Sequence, residues 1–390
     1  MRRRSAVHVI TQLELGGAQR VTLDLLRCQA QAGWEVALIT GVDGLLVEEA
    51  RARFGPRLFL EPALVRAIRP YLDLVALGRI AARLRRLRPS LVHTHCSKAG
   101  VVGRCAAKLA GIPLVVHSVH GFPFPPAPYQ GPLRRDFYRG LEKLVARWTT
   151  AFTCDSEANR RAGELAGLFR RSEVEVIASG VDLEPYRARC DRAAKRAELG
   201  LPAAAPVVAM IACLKPQKAP LDFVAVCTRI AAELPPAHFL LIGDGELRPQ
   251  VEQRVAAEGL SDRFHLLGWR RDLPELVAVM DLALLTSLWE GLPQTLPIVQ
   301  AAGVPVVATR ADGNAEAVLD GETGFLVEAG DIATMARRAL ELLRDGELRR
   351  RMGAAGRRFA ERFDLPQTCA RMLGLYERLL GGTPQSGSDG

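Results

Sequence analysis

The sequence has no CxxC pair, no GxGxxG fingerprint, and no uninterrupted apolar run near the roughly 18 residues that a membrane-spanning helix requires. Each absence excludes something. The eight cysteines, at 28, 96, 105, 154, 190, 213, 227 and 369, are scattered, and they read as reduced thiols in a cytosolic protein rather than a disulfide framework or a zinc ribbon. Without a spanning segment, membrane contact is peripheral. The missing fingerprint argues against a dinucleotide fold of the dehydrogenase type. Aromatic residues make up only 6% of the chain and do not alternate with its basic residues; with no reader motif visible, this argues against nucleic-acid binding. The basic start, MRRRS, leads into an apolar stretch cut short by Thr11, Gln12 and Glu14; it is too short for a secretion signal and reads as a first strand.

What is present points to two domains. A chain of 390 residues that is 48% hydrophobic exceeds what one core organises. Residues 1 to 182 carry 27 Lys and Arg against 16 Asp and Glu, a balance of +11, whereas the remainder balances at −2. A basic half implies an anionic partner such as a lipid surface or a lipid diphosphate. Short, solid apolar runs at Val7 to Ile10, Glu35 to Thr40, Leu91 to Thr94, Leu114 to Val116, Ala151 to Cys154 and Val174 to Ile177 alternate with helical patterns, the rhythm of a parallel, doubly wound α/β sheet. After a variable stretch the rhythm restarts at Val207 to Ala212 and runs to Gly324 to Val327, implying a second such sheet. The expected domains are 1–183 and 184–364, followed by a helix over 365–380 that crosses back to the first domain and a disordered tail over 381–390.

Two N-terminal segments set basic ridges beside apolar stripes. Arg79, Arg83 and Arg86 accompany Leu77, Ile80, Leu84 and Leu87, and Arg135, Arg139, Lys143 and Arg147 accompany Phe137, Leu141, Leu144 and Trp148. Each ridge reads either as a solvated helix face or as a surface lying on anionic lipid headgroups.

The candidate chemistry lies where strands end. Gly16 and Gly17 open a helix after the first strand, where free amides and the helix dipole favour an anion. Histidines 93, 95, 117 and 120 gather near two strand ends. A metal site at His93 and His95 has no carboxylate or cysteine to complete it, so none is expected. His120, before Gly121 and a Pro/Phe-rich loop, is the better functional candidate, with a structural role as the alternative. In the second half Lys215 and Lys218 stand at a strand-to-helix junction suited to phosphate, and Gly243, Gly245 and Gly268 mark further strand exits. Glu290 precedes a helix starting near Pro293, whose amides at Gln294, Thr295 and Leu296 read as unpaired donors able to receive a diphosphate.

In order and spacing, GGAQR, HTHCSKAGVVGR, VHGFPF, CDSEANR, ASGVD, LKPQKAP, LIGDGEL, LGWRRDLP, SLWEGLP with AAGVPVVAT, and GETGFLV resemble the family 4 glycosyltransferases across nearly the whole chain. The resemblance implies a GT-B fold, two Rossmann-like domains facing across a cleft, and metal-independent transfer of a sugar from a nucleotide donor with retention. No cofactor is implied; a UDP- or GDP-linked sugar is the substrate, and a lipid-linked or glycan acceptor of bacterial polysaccharide assembly is met at the cytosolic face of a membrane. It gives Gly16 and Gly17 the donor diphosphate and the acceptor approach, His120 a hydrogen bond at the transferred sugar, Lys218 the diphosphate, Glu290 the sugar hydroxyls or reacting face, and the Gly268 to Arg270 loop, with Trp269 and Arg270, the base. Two positions depart from the family pattern. Ile298 stands where a second glutamate usually holds the ribose, and Cys213 where an arginine is common, with Lys215 near enough to substitute for its charge. These departures motivate an alternative, a degenerate member acting as a nucleotide-binding or scaffolding partner in an assembly complex; a sugar-nucleotide epimerase would require more acid and base groups.

Overall fold

The computed structural model describes residues 4–124, 131–169, 172–188 and 190–381, and the expected tail lies almost wholly outside them. The chain divides into two compact units, 1–180 with 365–390, and 181–364.

Unit 1 holds a seven-stranded sheet. Its strands are β1 (Ser5–Val9), β2 (Glu35–Thr40), β3 (Leu58–Leu60), β4 (Leu91–His95), β5 (Leu114–Val119), β6 (Ala151–Cys154) and β7 (Glu173–Val176), in the order β3-β2-β1-β4-β5-β6-β7. All pairings are parallel. One face packs against the Gly17–Gln31 and Leu365–Gly381 helices through Leu23, Leu26, Trp34, Met372 and Tyr376. The other packs against the Pro70–Leu87 and Ser97–Leu109 helices through Ala76, Ile80, Leu84 and Ala99. Covering on both faces is why the strands read as continuous apolar runs without alternation.

The Pro70–Leu87 helix opens on proline and buries Ala76, Ile80, Ala81 and Leu84, leaving its arginines outside. The Pro132–Ala146 helix behaves differently. It buries only Glu142, Val145 and Ala146; Phe137 and Leu144 of the expected apolar side stand exposed among its basic residues, as does Leu133 in its first turn.

The expectation of reduced thiols is overturned at one pair. Cys28 and Cys369 form a disulfide that ties the Gly17–Gln31 helix to the Leu365–Gly381 helix across 341 residues of sequence. A reading based on local spacing has no access to a pair that only the tertiary fold brings together. The other six cysteines are not disulfide-bonded.

Unit 2 holds a six-stranded parallel sheet of β8 (Val207–Ile211), β9 (His238–Ile242), β10 (Phe264–Gly268), β11 (Leu282–Leu285), β12 (Val306–Thr309) and β13 (Gly324–Val327), in the order β10-β9-β8-β11-β12-β13. In each sheet the winding reverses once, between β1 and β4 in unit 1 and between β8 and β11 in unit 2. Ligands of open α/β sheets bind outside the carboxyl ends of the strands at that reversal.

Candidate active site

In unit 2 the reversal brings together two residues that stand 72 positions apart in sequence. The loop leaving β8 carries Lys218, the loop leaving β11 carries Glu290, and the Lys218 ammonium donates to Glu290 Oε1. The two loops are fastened by backbone as well as side chains. Leu288 N–H donates to the Gln217 carbonyl at 2.8 Å, Gln217 Nε2 to the Trp289 carbonyl at 2.7 Å, and Thr286 Oγ1 to the carbonyls of Lys218 and Ala219 at 2.8 and 3.0 Å. Ala219 holds a left-handed φ of 44°, a strained conformation for alanine that turns the chain sharply into the Pro220–Glu233 helix.

Glu290 is buried and well supplied with partners. Ser287 Oγ donates to its Oε1 at 2.5 Å, and its own N–H donates to Asp312 Oδ2 at 3.2 Å, from the loop after β12. Burial raises the Asp312 carboxyl above its ordinary range. Lys218 and Glu290 thus form an opposite-charge pair.

The other expected residues of unit 2 lie at the same strand ends with varied surroundings. Gly243 is required by close backbone approach. Its φ is 129°, and an added Cβ would fall 2.0 Å from the Ala212 carbonyl oxygen. At Gly245 the corresponding distance to the Leu214 carbonyl is 2.5 Å. Lys215 precedes the short turn Pro216–Lys218. Trp269 is exposed, whereas Arg270 is drawn to Asp272 and Glu198. The helix after Glu290 begins at Thr295, with Gln294 as its cap. One expected donor is corrected: the Leu296 N–H is bonded to the Pro293 carbonyl, because a turn closes just ahead of the helix. Thr295 Oγ1 is buried without a partner among the described residues. Ile298 is a core residue of that helix.

In unit 1, Gly16 caps and Gly17 begins the helix after β1. His120 follows β5 and is nearly buried. Its Nδ1 meets Asp155 Oδ2 at 2.9 Å and its Nε2 meets His95 Nδ1 at 3.2 Å, so both ring nitrogens are engaged within the unit. His95 also meets His8 at 2.9 Å, and His8 meets Gln29 at 2.8 Å. His93 lies alongside, bonded to Tyr376 at 2.5 Å and Ser118 at 2.8 Å. Burial pushes His8 down to about 4 and holds His93, His95 and His117 well below the ordinary histidine range, with neighbouring rings and Arg104 adding to the effect. His8, His93 and His95 bring ring nitrogens within 4.8 Å of one another, a grouping that a cation could share. All six of those nitrogens already have hydrogen-bond partners, so the arrangement is complete without one. The partners that sequence reading missed are His8, a polar residue inside a buried strand, together with Gln29 on the first helix, Asp155 in the loop after β6 and Tyr376 on the last helix.

Comparison with known proteins matches two family models, Glycosyltransferase Family 4 over residues 15–185 and Glycosyl transferases group 1 over residues 191–359. The chain is 33% identical over 332 residues to the UDP-Gal:alpha-D-GlcNAc-diphosphoundecaprenol alpha-1,3-galactosyltransferase of Escherichia coli, spanning 83% of this chain and 84% of that one. The chain belongs to glycosyltransferase family 4. It is also 32% identical over 309 residues to the D-inositol 3-phosphate glycosyltransferase of Nocardia farcinica, spanning 74% of this chain and 66% of that one. Among solved structures, Anabaena HepE in complex with UDP and glucose matches with a TM-score of 0.83 at 22% identity, covering 96% of this chain and all of the other. Sucrose-phosphate synthase from Thermosynechococcus elongatus matches with a TM-score of 0.83 at 20% identity, covering 98% and 100%. These neighbours show the GT-B fold for this glycosyltransferase, each unit supplying one Rossmann-like sheet.

Proposed function

We propose that this glycosyltransferase transfers a sugar, with retention and without a metal or other cofactor, from a UDP- or GDP-linked donor to a lipid-linked or glycan acceptor. The observation that carries the reading is the meeting of Lys218 and Glu290 at the reversal between β8 and β11. Departure of a nucleoside diphosphate leaves negative charge that must be stabilised as the bond to the sugar breaks. Lys218 supplies that charge, and Glu290, released from the lysine when the diphosphate arrives, is left free to accept from sugar hydroxyls. The intact pair favours an enzyme over a degenerate scaffold. Retention rests on the family likeness.

The Escherichia coli relative, named for a diphosphoundecaprenol acceptor and a UDP-linked donor, supports a lipid diphosphate acceptor and a uridine nucleotide here. The exposed Leu133, Phe137 and Leu144, on a helix that also carries Arg134, Arg135 and Lys143, support a peripheral seat on an anionic membrane at its cytoplasmic face. No helix among the described residues is long and apolar enough to cross a membrane. Ile298, buried in its helix, leaves the ribose without the carboxylate common in the family, and donor binding weaker by about 1 to 3 kcal/mol is expected.

The test is a panel of labelled UDP- and GDP-sugars with purified protein and bacterial membrane lipid. Labelled glycolipid is expected, undiminished by chelator, with the donor's anomeric configuration kept. Lys218→Ala should lower transfer by about 100- to 1,000-fold. No product and no binding heat with any donor would overturn the reading.

A further inference from the structure

Five side chains of unit 1 form one continuous line of hydrogen bonds: Asp155, His120, His95, His8 and Gln29. Four links join them, and each link requires one proton. An ionised carboxylate only accepts, and three neutral imidazoles bring three protons between them. The orientation of the Gln29 amide therefore decides the count.

With Gln29 Oε1 towards His8, the links need a fourth ring proton and one ring must be an imidazolium. In that orientation the buried Gln29 Nε2 faces the Tyr376 phenol but makes no well-aligned hydrogen bond among the described residues. With Nε2 towards His8, the amide supplies the fourth proton and every ring stays neutral. The two orientations differ by a half-turn of the amide that moves no other atom. Burial keeps the extra proton off His8 and His95, which leaves only His120, beside Asp155, to carry it; a buried donor without a well-aligned acceptor at Gln29 is costly, and that selects the second. The other titratable groups against the line are occupied elsewhere: His93 by Tyr376 and Ser118, and His117 by Thr94.

The line then has a single direction. Gln29 donates to His8, His8 to His95, His95 to His120, and His120 to Asp155. We propose that Asp155 is a positioning residue for transfer: it fixes His120 as the Nδ1–H tautomer, making Nε2 an acceptor for a sugar hydroxyl. The longest link, the 3.2 Å contact between the buried His95 and His120, must open to admit it, the hydroxyl then accepting from His95 Nδ1–H and donating to His120 Nε2. A hydroxyl both donates and accepts, so its entry preserves the direction of the line. His120 is the least buried ring of the three and stands at the sheet's carboxyl edge, where ligands of such sheets bind. This proposal rests on the transferase reading for its kinetic consequence, but not for its proton arrangement.

The decisive variant is Asp155→Asn. An asparagine that presents its amide nitrogen to His120 donates where the carboxylate accepted, and the line then runs in reverse all the way to Gln29; one that presents its oxygen leaves the line as it was. In the full chain labelled with 15N-histidine, long-range proton–nitrogen spectra at pH 7.5 should show His8, His95 and His120 as neutral Nδ1–H tautomers. In Asp155→Asn the three rings should respond as one, all converted to Nε2–H or all unchanged, His8 included although it does not touch residue 155. In transfer assays the same variant should lower kcat at least tenfold with donor KM changed less than threefold, and Asp155→Glu should recover part of kcat. An imidazolium signature or an Nε2–H His120 in the unsubstituted protein would overturn the proposal, as would conversion of His120 without His8 in the variant. Should Asp155→Asn fail to fold, the unsubstituted spectrum decides alone. If the spectra behave as stated and no donor is turned over, it is the transferase reading that fails.

Discussion

Unit 1 should be far more sensitive to mild acid than unit 2. His8, His93, His95 and His117 are all less than 5% exposed, and each is held neutral by burial. A base whose folded pKa lies below its unfolded value binds protons more readily when unfolded, so the stability it contributes is present at high pH and is lost as pH falls. Loss begins near the unfolded value of about 6.5 and, for His8, continues to about 4. At pH 5.5, one unit below the unfolded value, a histidine whose folded value lies well below 5.5 costs about 1.4 kcal/mol, so the four together cost about 5 to 6 kcal/mol. Domain stabilities are about 5 to 15 kcal/mol, so this is a large share. Each unit carries two tryptophans, Trp34 and Trp148 in one and Trp269 and Trp289 in the other. A protein with Trp269→Phe and Trp289→Phe therefore reports unit 1 by fluorescence. Urea midpoints measured from pH 8 to pH 5 should fall steeply below pH 6.5 for that variant, and less for the reciprocal one, whose unit holds only the partly buried His238 and His265. A unit 1 midpoint that stays level between pH 7 and pH 5 would refute the reasoning, because it would mean these rings take up protons in the folded state.

Breaking the Cys28–Cys369 link by Cys28→Ser should destabilise unit 1 by about 2 to 4 kcal/mol without changing the unit 2 transition, and reductant should reproduce the effect in the unsubstituted protein but not in the variant. Sedimentation with vesicles should show binding that rises with anionic lipid content and weakens with salt; reversing Arg135, Arg139 and Lys143 to glutamate should abolish it while leaving donor binding intact.

Much of the fold was legible because both sheets are covered on two sides, so most strands stand out as runs of Val, Ile and Leu. β3 escaped notice: three residues between a short helix and a long loop carry too little pattern to separate from either. Lys218 and Glu290 could be picked out singly, since each sits in a loop leaving a strand, but their pairing depends on β8 lying beside β11, which local pattern does not reveal. The histidine line was half visible. His95 and His120 sit in clustered segments, whereas Gln29 on a helix and His8 inside an apolar strand gain meaning only from parallel pairing of β1 with β4. The free donor assigned to Leu296 was lost to a detail finer than any start signal, a turn that closes on Pro293 before the helix begins.

The return of the Leu365–Gly381 helix to unit 1 sets an order of assembly on the ribosome. Residues 181–364 emerge as one uninterrupted stretch and have everything they need to fold as soon as they clear the exit tunnel. The earlier-made N-terminal segment must wait: until the last helix arrives, His93 lacks its phenol partner, Cys28 has nothing to oxidise with, and the apolar wall around Trp34 stays open to chaperones. The half of the enzyme that is synthesised first is thus the half completed last.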